Sequence, residues 1–201
     1  RVTDVGTLES GAPYMVMEHL EGSDLGQILR TRKRLPIDEA LTYVLQVCEV
    51  LAEAHALGIV HRDLKPGNLF LIQKNDGTPS IKIIDFGISK VGKTGDPPVD
   101  GTGEMTQTAV MMGSPLYMAP EQMASARDVD ARADIWSLGV LLHCLLTGGP
   151  PFKGSSVMQV YELIVLGAPP LRSLRPGAPE GLEKLLLRCL QKNRNDRFEN
   201  V

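Results

Sequence analysis

The feature that most constrains the fold is a run from Ala131 to Leu146 that is apolar on nearly every side of a helix. After Asp134, only Ser137 and His143 interrupt it with polar side chains. A helix that is hydrophobic all round must be buried on every side. The run is too short to span a bilayer. We therefore predict a helix in the middle of a protein core.

Other segments have a single apolar face at helical spacing and are predicted to form further helices. The longest of them begins near Ile37, directly after Pro36, and ends before Gly58, where a left-handed cap is expected. The other predicted helices are 24–30, 157–166 and 182–190.

Short β-prone runs occur mainly in the first half of the chain. They are 5–9, 14–18, 59–60, 69–72 and 81–84, while 21–23 is predicted to be a linker and 91–103 a loop rich in Gly, Pro, Asp and Thr. Since a lone hairpin is marginal in water, the first two strands are expected to belong to a larger sheet. The chain is therefore predicted to be α+β with a mainly helical body.

Composition fits one soluble domain, because 201 residues with 43% apolar and 22% charged side chains can bury a sizeable core. A net charge of -3 lacks the basic excess of nucleic-acid-binding proteins, so no nucleic-acid partner is expected. The three cysteines form no CxxC pair and are predicted to be buried in a reducing compartment. No signal peptide or membrane segment is recognised. Because the sequence begins with Arg1, we expect it to be part of a longer chain.

Three ordered motifs carry the functional prediction. His61 to Asn68 fits H-R-D-L-x-x-x-N, Asp85-Phe86-Gly87 follows a predicted strand, and Ala119-Pro120-Glu121 gives A-P-E. Together they resemble the eukaryotic-type, or Hanks-type, serine/threonine protein kinases, and other segments resemble bacterial members. The resemblance covers nearly the whole chain.

The resemblance assigns the chemistry to four residues. Phosphoryl transfer depends on positioning and charge neutralisation more than on covalent chemistry. Asp63 is expected to present its carboxylate to the acceptor hydroxyl, and Lys65 to contact the transferring phosphate of ATP. Asn68 and Asp85 are expected to bind Mg²⁺, which prefers hard oxygen ligands. The alternative for Lys65 is a solvated lysine.

The resemblance also implies an adenine site at the hinge between two lobes. Met17 is the expected gatekeeper, and backbone groups of Glu18 and Leu20 are expected to bond the adenine edge. Phe70 is expected to cover the adenine from below. The alternative for Met17 is a plain strand-core residue, and Phe70 is also expected to pack as an ordinary core aromatic residue.

A regulatory role is expected for Arg62, which in relatives holds a phosphorylated activation loop. Thr106 and Thr108 are the candidate phosphorylation sites, with ordinary loop threonines as the alternative.

Four residues are assigned structural roles by the resemblance. Ser114 stands where the family usually has Thr and keeps a hydroxyl that can bond Asp63 and Lys65. Asp134 is expected to anchor the catalytic loop, the alternative being a simple helix N-terminal acid. Glu121 is expected to form an ion pair with Arg197.

Three family features are missing from this sequence: the glycine-rich loop, the strand lysine and the helix glutamate. We therefore expect a partial kinase domain. Residues 1–18 would be a remnant of the N-lobe sheet, 19–22 the hinge and 23–201 the mainly α-helical C-lobe. This segment alone is expected to bind ATP poorly and to have little activity.

The leading prediction is a signal-transducing enzyme that uses ATP and Mg²⁺ to phosphorylate Ser or Thr in proteins. Self-association for autophosphorylation and a cytoplasmic location are expected, with a membrane anchor on the full-length protein left open. One alternative is a catalytically inactive scaffold of the same fold. Another is a small-molecule phosphotransferase, although those relatives typically lack the A-P-E segment.

Overall fold

A computed structural model of the chain describes residues 2–84, 115–124 and 129–201. In these ranges seven α-helices are accompanied by five short strands in two separate sheets. The helices are α1 (Leu25–Arg32), α2 (Ile37–Ala56), α3 (Pro120–Ala124), α4 (Arg132–Thr147), α5 (Val157–Leu166), α6 (Leu171–Leu174) and α7 (Glu180–Cys189). The predicted α+β class with a mainly helical body is confirmed.

Helix α4 is the central helix, as its all-round apolar sequence predicts. Every side chain from Ala133 to Leu146 is buried. The helix ends at Gly148, which has φ +92° and donates its N–H to the carbonyl of Cys144. A Cβ atom at this position would meet the carbonyl oxygen of Lys33 at 2.6 Å, so both backbone conformation and space require glycine here.

Helices α2 and α7 pack against α4, but the apolar faces that their periodicity predicts are buried only in part. Leu45 of α2 and Leu185 of α7 lie on those faces and are 62% and 42% exposed. Helix α2 begins after Pro36 and is followed by Gly58, whose φ of +74° fits the predicted left-handed position. Near the N-terminal end of α4, the ring of Trp136 stacks on that of Phe152 with centroids 5.5 Å apart. The core is therefore continuous from α2 through α4 to the segment after it.

The strands are β1 (Val2–Thr7), β2 (Pro13–Met17), β3 (Gly22–Asp24), β4 (Leu69–Gln73) and β5 (Pro79–Ile83). Strands β1 and β2 form an antiparallel hairpin, and the second sheet has the order β3-β4-β5 with antiparallel pairs. Among the described residues, no helix is long and apolar enough to cross a membrane.

Two predicted local structures are wrong. The predicted linker 21–23 contributes to β3, because its backbone pairs with β4; the polar sequence of β3 gives no strand pattern. Gly22 permits this pairing, since a Cβ there would lie 2.0 Å from the carbonyl oxygen of Leu71. The predicted strand 59–60 is not formed, because the N–H of Ile59 donates to the carbonyl of Ala54 and closes the end of α2.

Candidate active site

The 61–68 loop lies between α2 and β4 and is anchored by one carboxylate from the first turn of α4. Asp134 accepts from the backbone N–H of His61 at Oδ2, 2.8 Å away, and from that of Arg62 at Oδ1, 2.9 Å away. The Asp134 side chain is fully buried. A buried carboxylate needs such partners, so the loop and the central helix stabilise each other.

His55 in α2 contacts the same carboxylate. Its Nε2 lies 2.8 Å from Oδ2 of Asp134, which is 79 residues away. Since the carboxylate can only accept, this ring nitrogen is the donor. His55 therefore links α2 to the carboxylate that anchors the 61–68 loop.

Arg62 adopts the left-handed conformation with φ +64°, which costs a non-glycine residue about 1–3 kcal/mol. Its N–H is bonded to Asp134, and its carbonyl accepts from Nε2 of Gln122 at 2.9 Å. Its guanidinium reaches the carbonyl of Val129 at 3.4 Å. Contacts from two helices therefore hold a strained turn immediately before Asp63.

Asp63, Lys65 and Asn68 meet on this loop. Lys65 Nζ lies 2.8 Å from Asp63 Oδ2, while Asn68 Nδ2 donates to the Asp63 carbonyl at 2.8 Å and to Oδ2 at 3.2 Å. The Asp63 side chain keeps 14% of its surface exposed, and Lys65 keeps 27%. The cluster therefore places a carboxyl group and an amino group together at a partly exposed surface.

Asn68 is suited to hold both the loop and a cation. The turn Pro66–Asn68 is a 3₁₀-helix, and it places the Asn68 amide nitrogen against Asp63. Since its nitrogen makes those bonds, the amide oxygen is the atom that suits a hard cation such as Mg²⁺. Within the described ranges, no three His, Cys, Asp or Glu side chains cluster as a metal site; Asp85, the other expected ligand, lies outside them.

An open cavity of about 540 Å³ begins at this loop. Lys65, Pro66 and Gly67 form one wall, and Arg30 of α1 and Lys33, directly after α1, contribute to another. The cavity therefore places open space beside Lys65.

The residues expected to bind adenine lie around β2 and β4. Met17 ends β2 and is 49% exposed, while Glu18 and Leu20 lie in the connection to β3. Phe70, half-buried in β4, pairs with Asp24 of β3. The chain that leaves the expected hinge therefore enters the sheet that carries Phe70.

Glu121 and Arg197 form a bidentate ion pair with distances of 2.7 and 2.8 Å. The Arg197 side chain is fully buried and also donates to the carbonyls of Gln191 and Arg132. Its guanidinium lies 5.1 Å from the ring centroid of Trp136. The pair therefore fixes α3 against the core beneath the 61–68 loop.

The cysteines are core residues rather than reactive groups. Cys144 and Cys189 are buried, Cys48 is half-buried, and all three are free thiols. Burial raises the pKa of Cys144 and of Cys189 to about 12 and also raises the pKa of Cys48. Protonated thiols of this kind pack as small hydrophobic side chains.

Four expected site residues, Asp85, Thr106, Thr108 and Ser114, lie outside the described residues. Two residues at the site had no assigned role: His55, which contacts Asp134, and Gln122, which contacts the Arg62 carbonyl. The sequence carries no signal for either contact, since each joins groups that only the folded chain brings together.

Comparisons with known proteins agree with the motifs. The sequence profile of the protein kinase domain family matches residues 6–200. The chain is 39% identical over 190 residues to serine/threonine-protein kinase Pkn1 of Myxococcus xanthus, covering 94% of this chain and 26% of that protein. It is 35% identical over 204 residues to serine/threonine-protein kinase PknB of Mycobacterium leprae, covering 100% of this chain and 31% of that protein. It thus spans less than a third of these two relatives.

Solved structures give the same result. The kinase domain of Mycobacterium tuberculosis PknI, crystallised as a double mutant, superposes with a TM-score of 0.69 at 28% identity, covering 99% of this chain and 66% of that one. Rad53 in complex with AMP-PNP superposes with a TM-score of 0.74 at 28% identity, covering 98% of this chain and 46% of that one.

Proposed function

The chain belongs to the protein kinase domain family, and we propose that the intact protein transfers the γ-phosphate of ATP to serine and threonine hydroxyls of proteins. By the intact protein we mean the longest natural chain that contains residues 1–201. The observation that carries this proposal is the contact of Asp63 with both Lys65 and Asn68 on a loop anchored by Asp134.

Each member of the cluster has a proposed role. Asp63 accepts the proton of the substrate hydroxyl and orients that hydroxyl. Lys65, beside it, stabilises negative charge on the transferring phosphate. Asn68 holds Asp63 in place through Nδ2 and offers its oxygen, together with Asp85, to Mg²⁺. Bound Mg²⁺ supplies charge neutralisation to the phosphates of ATP.

The remaining assignments extend the proposal to nucleotide binding and regulation. Backbone groups of Glu18 and Leu20 bind adenine between Met17 and Phe70. Residues 1–18 belong to the N-lobe sheet, 19–22 to the hinge and 23–201 to the C-lobe.

Control of activity is proposed to run through Arg62, which would pair with phosphorylated Thr106 or Thr108. Self-association would allow one copy of the protein to phosphorylate these threonines in another. Ser114 would bond Asp63 and Lys65 in the active state.

The inactive scaffold is the second candidate. What favours activity is that Lys65 and Asn68 both bond the Asp63 carboxylate, since a scaffold has no chemical need for this set. The small-molecule phosphotransferase is disfavoured because the A-P-E segment is present and its Glu121 is tied to Arg197.

The test is an assay of the intact protein with γ-labelled ATP and Mg²⁺. We expect label on Ser and Thr of a generic protein substrate, no transfer to sugars or aminoglycosides, and little transfer by residues 1–201 alone. Transfer to the small molecules only, or nucleotide binding without transfer to anything, would contradict the proposal.

A further inference from the structure

Gln122 in α3 makes two opposite hydrogen bonds with one side chain. Its Oε1 accepts the backbone N–H of Ala119 at 3.0 Å, and its Nε2 donates to the carbonyl of Arg62 at 2.9 Å. The first bond fixes which end of the amide is oxygen, because only the oxygen can accept from an N–H. The nitrogen must therefore face the Arg62 carbonyl.

The Arg62 carbonyl belongs to the peptide group that links Arg62 to Asp63. The N–H of the same peptide group donates to Nδ1 of His61 at 3.2 Å. Gln122 and His61 thus hold the two polar ends of one peptide plane, while Asp134 holds the preceding N–H. With φ +64° at Arg62, this plane sits in a conformation that the backbone does not favour unaided.

We propose that Gln122 is a positioning residue for phosphoryl transfer, acting by donating to the Arg62 carbonyl and so fixing the direction in which Asp63 leaves the loop. This inference rests on the proposed function of Asp63. Catalysis is sensitive to small displacements of a reacting group, so a peptide plane held at one end only would weaken transfer without weakening nucleotide binding.

The chain offers a matched control in Gln46 of α2. Its Oε1 accepts the N–H of Ile81 at 2.8 Å, and its Nε2 donates to the carbonyl of Pro79 at 3.2 Å. Both glutamines are half-buried, and each joins a helix to a neighbouring segment. Gln46 contacts β5 and no residue of the 61–68 loop, so the same substitution there tests stability alone.

The experiment compares Gln122→Glu, Gln122→Leu and Gln46→Glu in the intact protein. A carboxylate at position 122 still accepts from Ala119 but cannot donate to Arg62, whereas leucine does neither. We expect both Gln122 variants to lower kcat by about ten- to a hundred-fold, with the KM for ATP within about two-fold of the parent value. Gln46→Glu should leave kcat unchanged even if it lowers the melting temperature.

Amide hydrogen exchange at Asp63 gives a readout that does not depend on activity. We expect exchange about five-fold faster in both Gln122 variants and unchanged in Gln46→Glu, because the peptide plane loses one of its two holds. If neither the parent protein nor any variant transfers phosphate while exchange at Asp63 still rises in the Gln122 variants, the proposed function fails. The hydrogen bond from Gln122 to the Arg62 carbonyl would then still be supported.

Three results would overturn the inference. The first is a Gln122→Glu protein with parental kcat and parental exchange at Asp63. The second is a defect in Gln122→Leu alone, which would make the Ala119 contact the important one. The third is a change in only the KM for ATP or only the melting temperature, which would mean that Gln122 contributes to nucleotide binding or to stability and not to phosphate transfer.

Discussion

The side chain of Asp134 and the backbone N–H of Arg62 are joined by a 2.9 Å hydrogen bond across 72 residues of sequence. The other oxygen of this carboxylate accepts hydrogen bonds from the backbone N–H of His61 and from the ring of His55. An amide in its place would offer one acceptor and turn an N–H₂ group toward an N–H donor. Asp134→Asn should therefore lower kcat and reduce the free energy of unfolding by about 2 kcal/mol.

The control for Asp134→Asn is Asp130→Asn, two residues before α4. Asp130 pairs with Arg132 at 2.6 Å, but its side chain is 42% exposed. Its loss should cost less than about 1 kcal/mol in denaturant unfolding and leave kcat unchanged. Equal effects of the two substitutions would mean that Asp134 is an ordinary helix N-terminal acid.

The ion pair of Glu121 with Arg197 should contribute strongly to stability. Glu121→Gln leaves a buried guanidinium without its counter-charge, which should lower the free energy of unfolding by about 3 kcal/mol. Glu180→Gln makes the same change in an exposed pair with Lys184, and should cost less than about 0.5 kcal/mol. Denaturant titration of both variants checks the contrast, and similar losses would contradict it.

Packing of α4 against α7 leaves no room for a side chain at Gly139. A Cβ there would lie 2.8 Å from the Cβ of Cys189 and 3.1 Å from Leu190, so Gly139→Ala should destabilise by about 1–3 kcal/mol. Gly181, in α7, has nothing within 4 Å of the added atom, so Gly181→Ala should stabilise by up to about 1 kcal/mol. Unfolding measurements that give both changes the same sign would contradict this account of the interface.

Stability should fall below pH 6.5 because of His143. The pKa of this ring is lowered from 6.5, mainly because the ring is buried and further because Lys153 is nearby. As the pH falls below 6.5, the unfolded chain binds a proton that the folded chain does not, so stability is lost by up to about 1.4 kcal/mol per pH unit.

The measurement for His143 is the free energy of unfolding between pH 7.5 and 5.5. His143→Asn keeps a donor toward the carbonyl of Gly149, 2.8 Å from Nδ1 in the parent, and should flatten the pH slope. His19→Asn, at an exposed position, is the control and should keep the parental slope. A slope unchanged in the His143 variant would show that other groups cause the loss.

The sequence predicts an element well when the residues that determine it lie within the element itself. Helices α2, α4 and α5 are found close to their predicted bounds, because apolar periodicity and the residues at their ends are properties of each segment. Strand β3 is missed because its sequence is polar and its pairing depends on β4, which lies far along the chain.

The same distinction applies to the site. Asp63, Lys65 and Asn68 lie within one motif, so their types and spacing are enough to single them out. His55 and Gln122 belong to the site through contacts 79 and 60 residues away, with Asp134 and Arg62 respectively. Nothing in their local sequence predicts those contacts, which need the folded arrangement of α2, α3 and α4.

The most direct test of the central claim is the rate of phosphate transfer to serine and threonine by the intact protein carrying Asp63→Asn. Asparagine keeps the size of the side chain but cannot accept the hydroxyl proton, so kcat should fall by about 10²- to 10⁴-fold. Asp76→Asn, in the exposed turn between β4 and β5, should transfer at the parental rate. Normal labelling by Asp63→Asn would contradict the account.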